Sequence, residues 1–111
     1  MADELETVAF PTVDALWSWL GEHHRSHPGV WVRLEKTSSS RPSVSFHDLL
    51  EAGIAFGWSE STRRAHDHSS YLQKFAPRRT RGTLSARNLK IADQLEAEGR
   101  MQPAGRLALR R

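Results

Sequence analysis

The sequence predicts an α+β domain in which a small antiparallel sheet of three to four strands, including a hairpin near residues 58–76, packs with about three helices. Two capped stretches with apolar residues at the helical period precede a segment of strand-like character, and a third follows it. This order differs from the regular alternation of βαβ folds. A length of 111 residues suits one core. Hydrophobic residues make up 38% of the chain, with four tryptophans and four phenylalanines, enough to fill that core and too many for general disorder. A single domain over residues 1–111 is expected.

Glu6 to Phe10 is the optional fourth strand. Residues 12–27 read as the first helix: Thr12 can cap it, Val13, Leu16, Trp17 and Leu20 share a face, and Asp14 suits the positive end of the helix dipole. Pro28 and Gly29 close it. Val30 to Glu35 starts β-branched and aromatic, then alternates apolar with polar, as a half-buried strand does. Residues 37–43 have the composition of a loop. Ser45 opens a second helix, with Asp48 placed for a capping box, Phe46, Leu49, Leu50, Gly53 and Ile54 on one face, and Gly57 as its stop.

Trp58 to Ala65 loses the helical period and Tyr71 to Phe75 alternates, so the two form an antiparallel hairpin around His66 to Ser70, ended by Pro77. Ser85 opens a third helix in which Asn88, Ile91, Ala92 and Leu95 face inward, and Gly99 ends it. Pro103 to Arg111 reads as the start of a further helix. Trp17, Trp31, Trp58 and Phe75 are read as core, because large aromatics dominate small interiors.

Charge is distributed unevenly. Residues 1–60 hold four Lys/Arg against nine Asp/Glu, and residues 61–111 hold twelve against four, so the halves carry −5 and +8. Such asymmetry points to a surface for an anionic ligand or an acidic protein partner, with nucleic acid as an alternative polyanion. The densest basic run follows the hairpin, so the candidate contact residues are Arg63, Arg64, Lys74, Arg78, Arg79 and Arg81. Tyr71 and Gln73 can add hydrogen bonds. Guanidinium forks bind phosphate or carboxylate bidentately. The competing use is structural: Arg63 or Arg64 could pair with Glu60 or Asp67.

Other chemistry is poorly supplied. Without cysteine there is no disulfide, thiolate cage or cysteine nucleophile. His23 and His27, and His66 with His68, are too few and too loosely spaced for a metal site and are read as exposed to solvent, so no metal and no cofactor are expected. No catalytic motif appears, and an enzymatic alternative would rest on Glu60 beside Trp58 and Arg64. No stretch is apolar for the roughly 20 residues of a membrane span. The acidic start, with Asp3, Glu4 and Glu6, is unlike a signal or transit peptide, so a cytoplasmic location is expected.

An ordered set of motifs adds a family context. It comprises Phe56-Gly57-Trp58, Arg63-Arg64, Tyr71 to Arg79, Ser85 to Asn88, Glu98-Gly99-Arg100-Met101 and Ala104-Gly105. Trp17, Leu20, Pro28 to Trp31 and Pro42 to Val44 precede them. Nearly the whole chain thereby resembles the bacterial YdeI/OmpD-associated family, also called bacteriocin-protection proteins. The chain departs from it with Ser59-Glu60-Ser61 where the family reads Ile-Asp-Gly, with Leu84 in place of a tryptophan, and in lacking the basic C-terminal module of many members. A non-enzymatic binding or adaptor domain is expected from the basic face, and the resemblance links it to protection from antimicrobial peptides and to envelope stress, with an oligomeric state left open.

Overall fold

The computed structural model describes residues 5–79 and 85–111. In chain order the elements are β1 (Thr7–Val8), α1 (Val13–His23), β2 (Val30–Glu35), α2 (Phe46–Phe56), β3 (Trp58–Ala65), β4 (Ser70–Pro77), α3 (Ala86–Ala97) and α4 (Pro103–Ala108). The α+β class holds. One feature of the expected sheet does not: it is mixed, in the order β1-β2-β4-β3, with β1 parallel to β2 and the other pairs antiparallel. Between β1 and β2 the chain crosses over through α1, and such a crossover delivers the second strand running the same way as the first.

The capping residues act as their types dictate. Thr12 Oγ1 accepts from the Ala15 amide at 3.1 Å. Ser45 and Asp48 satisfy one another's backbone amides as a reciprocal box. Ser85 Oγ accepts from the Asn88 amide at 3.2 Å. Gly57, at φ 78°, is the left-handed cap that turns α2 directly into β3. The first helix is shorter than the 12–27 expected. It stops at His23, where His24 caps it, since Pro28 disfavours helical geometry at the residue before it and tight turns fill the interval.

α2 is the centre of the packing, buried from Leu49 through Phe56 except at Glu51. Around it gather Leu16 and Leu20 of α1, Val30, Val32 and Leu34 of β2, Trp58 of β3, Phe75 of β4 and Ala92 and Leu95 of α3, all within one cluster. One face of the sheet therefore meets the helices. Trp58 and Phe75 lie with ring centroids 5.1 Å apart, and Trp58 Nε1 donates to the His24 carbonyl at 3.2 Å, tying the end of α1 to the start of β3. Burying the indole's polar atom costs little once it is bonded.

The hairpin turn is held by Asp67. Its Oδ1 accepts from Ser70 Oγ at 2.9 Å, from the Ser69 amide at 2.9 Å and from Ser69 Oγ at 3.2 Å. These bonds, Ser70's first, lower its pKa from 3.8 to about 2. Because the folded value is depressed, the turn's stabilisation is complete above the ordinary carboxylate range and is lost as pH falls toward 2. In a carboxyl-carbon NMR titration Asp67 should titrate with a midpoint near 2, and Ser69→Ala together with Ser70→Ala should return it toward 3.8. A midpoint already near 3.8 in the unaltered chain would contradict this account of the turn.

Candidate anion-binding face

The side chains of β3 are distributed by an irregularity in its pairing. Glu60 lies opposite Phe75, yet Arg63 lies opposite Gln73, so three residues of β3 advance against two of β4. Such a bulge inserts one extra residue and reverses which face every later side chain joins. Before it, Trp58 and Glu60 belong to the helix-facing side and Ser59 to the second face. After it, Arg63 joins the helix-facing side and Arg64 the second face.

On the second face, the junction of β3, β4 and the segment after β4 forms a recess of about 360 Å³ lined by Ser59, Ser61, Lys74, Ala76, Pro77, Arg78 and Arg79. Ser59 and Ala76 are cross-strand partners, and Lys74 lies opposite the bulged stretch. Three cations and two hydroxyls thus line one concavity to which no lining carboxylate contributes. Arg78 is half-buried, its amide bonded to the Gly57 carbonyl at 2.9 Å. Burial pushes its guanidinium pKa down from the ordinary arginine value, and the Glu60 charge opposes that shift. Arg79 is exposed, and neither arginine has an ion pair among the described residues.

The structure brings together Lys74, Arg78 and Arg79 of the sequence-predicted set. Arg64 lies on the same face, its guanidinium carbon 4.3 Å from the centre of the Trp31 ring. Arg63 lies on the other face, 4.4 Å from the Tyr71 ring centre and 5.8 Å from that of Phe46. Tyr71 and Gln73 are also on the helix-facing side. Gln73 is 2% exposed, and its amide donates to the Thr62 carbonyl at 3.2 Å, where it stabilises the bulge. Arg81 lies outside the described residues, as does most of the Arg78 to Gly82 stretch that contains it. Arg63 and Arg64 use aromatic rings, not Glu60 or Asp67, as their neighbours, an arrangement favourable by about 0.5–1 kcal/mol at exposed sites.

Three of the other six basic residues of the second half are paired with carboxylates. Arg100 pairs with Glu98 at 3.0 Å and Glu51 at 3.7 Å, Arg106 with Glu96 at 2.9 Å, and Arg111 with Asp93 at 2.6 Å. Arg106 hydrogen bonds lower the Glu96 pKa, and those of Arg100 lower that of Glu98. Charge density in the sequence therefore overstates the cationic surface of α3 and α4.

Glu60 does not line the recess; its Oε2 is buried without a hydrogen-bond partner among the described residues. His23 and His27 are packed, not solvent-exposed as expected. Both rings stand 5.0 Å from Trp19, and His27 Nε2 lies 2.9 Å from Glu6 Oε1. The Trp19 side chain offers an apolar surface that the i,i+4 pair covers together, a use that histidine spacing alone did not announce. Among the described residues no group of three or more His, Asp or Glu is placed to hold a metal, and no helix is long and apolar enough to cross a membrane.

Ser59 and Ser61 were absent from the sequence-predicted set. Their signal was present in the two-residue spacing after the core residue Trp58, which places Ser59 on the face opposite the helices. A family model described as a domain of unknown function, DUF8412, matches residues 8–108. No curated protein and no solved structure matches the chain.

Proposed function

The chain belongs to the DUF8412 family, and on that premise we propose that it is a binding module whose recess takes a phosphate-bearing anion. The observation that carries this reading is the convergence of Lys74, Arg78 and Arg79 with the Ser59 and Ser61 hydroxyls around one concavity of about 360 Å³. Guanidinium groups supply planar paired donors, hydroxyls supply adaptable ones, and a half-buried arginine meets an anion with less competition from water. A phosphate monoester fits this donor set better than a nucleic-acid strand does. A single strand needs aromatic faces for its bases, and Arg64 already lies over the Trp31 ring.

A chain without cysteine fits a setting in the reducing cytoplasm, and the resemblance to YdeI/OmpD-associated proteins supports a role in protection from bacteriocins. A cationic face repels cationic peptides, so protection would run through an anionic ligand or an acidic partner.

The test is calorimetric titration with pyrophosphate, phosphoserine and a short oligonucleotide, on the unaltered chain and on three variants. Arg79→Ala and Arg78→Ala should weaken phosphoserine or pyrophosphate binding by about tenfold or more, as loss of a charge-assisted bond of about 1.5–3 kcal/mol requires. Arg63→Ala, on the opposite side of the sheet, should leave it unchanged. Equal losses at Arg63 and Arg79, or no binding to either phosphate compound, would end this reading. Oligonucleotide binding alone, falling steeply with salt, would replace it with a nucleic-acid role.

A further inference from the structure

A second concavity lies away from the recess, where the end of α1 meets α4. Gly21, His24, Arg25, Phe56, Gln102, Pro103, Ala104 and Leu107 enclose about 470 Å³. A neighbouring hollow of about 330 Å³ shares His24, Arg25, Phe56, Ala104 and Leu107 with it and extends it to Trp58 and Arg78. Phe56, Pro103, Ala104 and Leu107 give the groove an apolar lining. Leu107 is 61% exposed, the most exposed large apolar side chain among the described residues, although Gly105 and Ala108 of the same short helix are buried.

Every ionisable side chain that lines the groove is a base: His24, Arg25 and Arg78. Arg25 is exposed and has no ion pair among the described residues, in contrast to Arg106, which holds Glu96 from the same helix as Leu107. We infer that this groove docks a segment of a partner protein in which acidic residues flank large apolar side chains. The apolar side chains cover Phe56 and Leu107, and the carboxylates meet Arg25 and Arg78. A second copy of the chain placed groove to groove would oppose Arg25 to Arg25 across a two-fold axis, which like-charge repulsion disfavours. Arg78 borders both concavities, but Arg25 and Leu107 do not line the anion recess, so substitutions at those two positions test this site apart from the phosphate reading.

The probe is a blocked peptide of alternating leucine and glutamate, with a leucine–lysine peptide of the same length as control, titrated into isotopically labelled protein and followed by NMR. The glutamate peptide should shift the amides of Gly21, Arg25, Ala104 and Leu107, and the lysine peptide should not. Arg25→Glu and Leu107→Asp, both at exposed positions compatible with folding, should each weaken glutamate-peptide binding about tenfold or more. The inference is overturned by any of four results: no binding of the glutamate peptide at millimolar concentration, equal binding of the lysine peptide, unchanged affinity in both variants, or sedimentation showing a dimer that Leu107→Asp dissociates. The last would assign the groove to a second copy.

Discussion

Truncating Trp58 to alanine should lower the stability of the domain by about 3–5 kcal/mol, the range for removing a large aromatic side chain from a packed interior. Trp58 is 1% exposed and sits where three elements meet. Its ring contacts Trp19 at 5.6 Å and Phe75 at 5.1 Å between centroids, and its Nε1 holds the last carbonyl of α1's cap. The loss thus combines apolar transfer, an unfilled cavity and a His24 carbonyl left without its indole donor. A domain of this size has about 5–15 kcal/mol in total, so the variant should be marginally folded and its thermal midpoint should fall by about 15–30 °C. Trp58→Phe retains most of the ring packing and gives up the hydrogen bond, so its cost should be much smaller. Denaturant unfolding of both variants separates the two contributions. Equal stability of Trp58→Ala and the unaltered chain would mean that this ring does not organise the core.

Gly105→Ala should destabilise the protein by about 3 kcal/mol, the upper part of the usual range for overpacking. In an exposed helix the same change would stabilise by about 1 kcal/mol, because glycine loses more backbone freedom than alanine. Here the sign reverses. A Cβ at Gly105 would fall within hard contact of the Ala55 carbonyl oxygen and lie 2.5 Å from that of Ile54, so α4 could keep its place on α2 only by moving outward. The clash is with backbone, which cannot rotate away as a flexible side chain can. Displacement of α4 would also strain the bond from the Gln102 amide to the Ala55 carbonyl, 3.1 Å long. Gly21→Ala is the matched control, since nothing lies within 4 Å of its added methyl group. Unfolding midpoints should fall for Gly105→Ala and hold or rise for Gly21→Ala; a rise in both would show that α4 does not press on α2.

Local elements were legible because their causes are local. Thr12, Ser45 and Ser85 are short hydroxyl side chains that satisfy amides within one turn, so each marks its helix start wherever the rest of the chain goes. Gly57 reports its own left-handed backbone in the same way. The hairpin was legible from alternation and from the polar turn, although Asp67's multiple bonds within it required coordinates. The parallel pairing of β1 was not legible. A two-residue strand carries no periodicity, and its direction relative to β2 follows from the path of α1 through space.

The candidate site was half legible for a related reason. Lys74, Arg78 and Arg79 stand close in sequence at the end of one strand, and strand geometry alone keeps them near one another. Arg63 and Arg64 precede them across an unseen bulge, and one additional residue in β3 decided which of the two faces the recess side. The arginines of α3 and α4 belong to the same basic half by composition. Arg106 and Arg111 find carboxylate partners, Glu96 and Asp93, back on α3, Arg100 between the two helices reaches Glu51 on α2, and pairing removed these three from the candidate surface.

By itself, then, the sequence determined the α+β class, the helix starts, the hairpin and the tally of charge, all of which depend on side-chain type and on contacts a few residues long. Tertiary structure alone decided the mixed direction of the sheet, the split of Arg63 from Arg64, the neutralisation of the C-terminal arginines and the groove between α1 and α4. Each of those outcomes requires residues distant in the chain to meet at a definite register and angle. That geometry is set by how the whole core packs, and periodicity along one segment does not encode it.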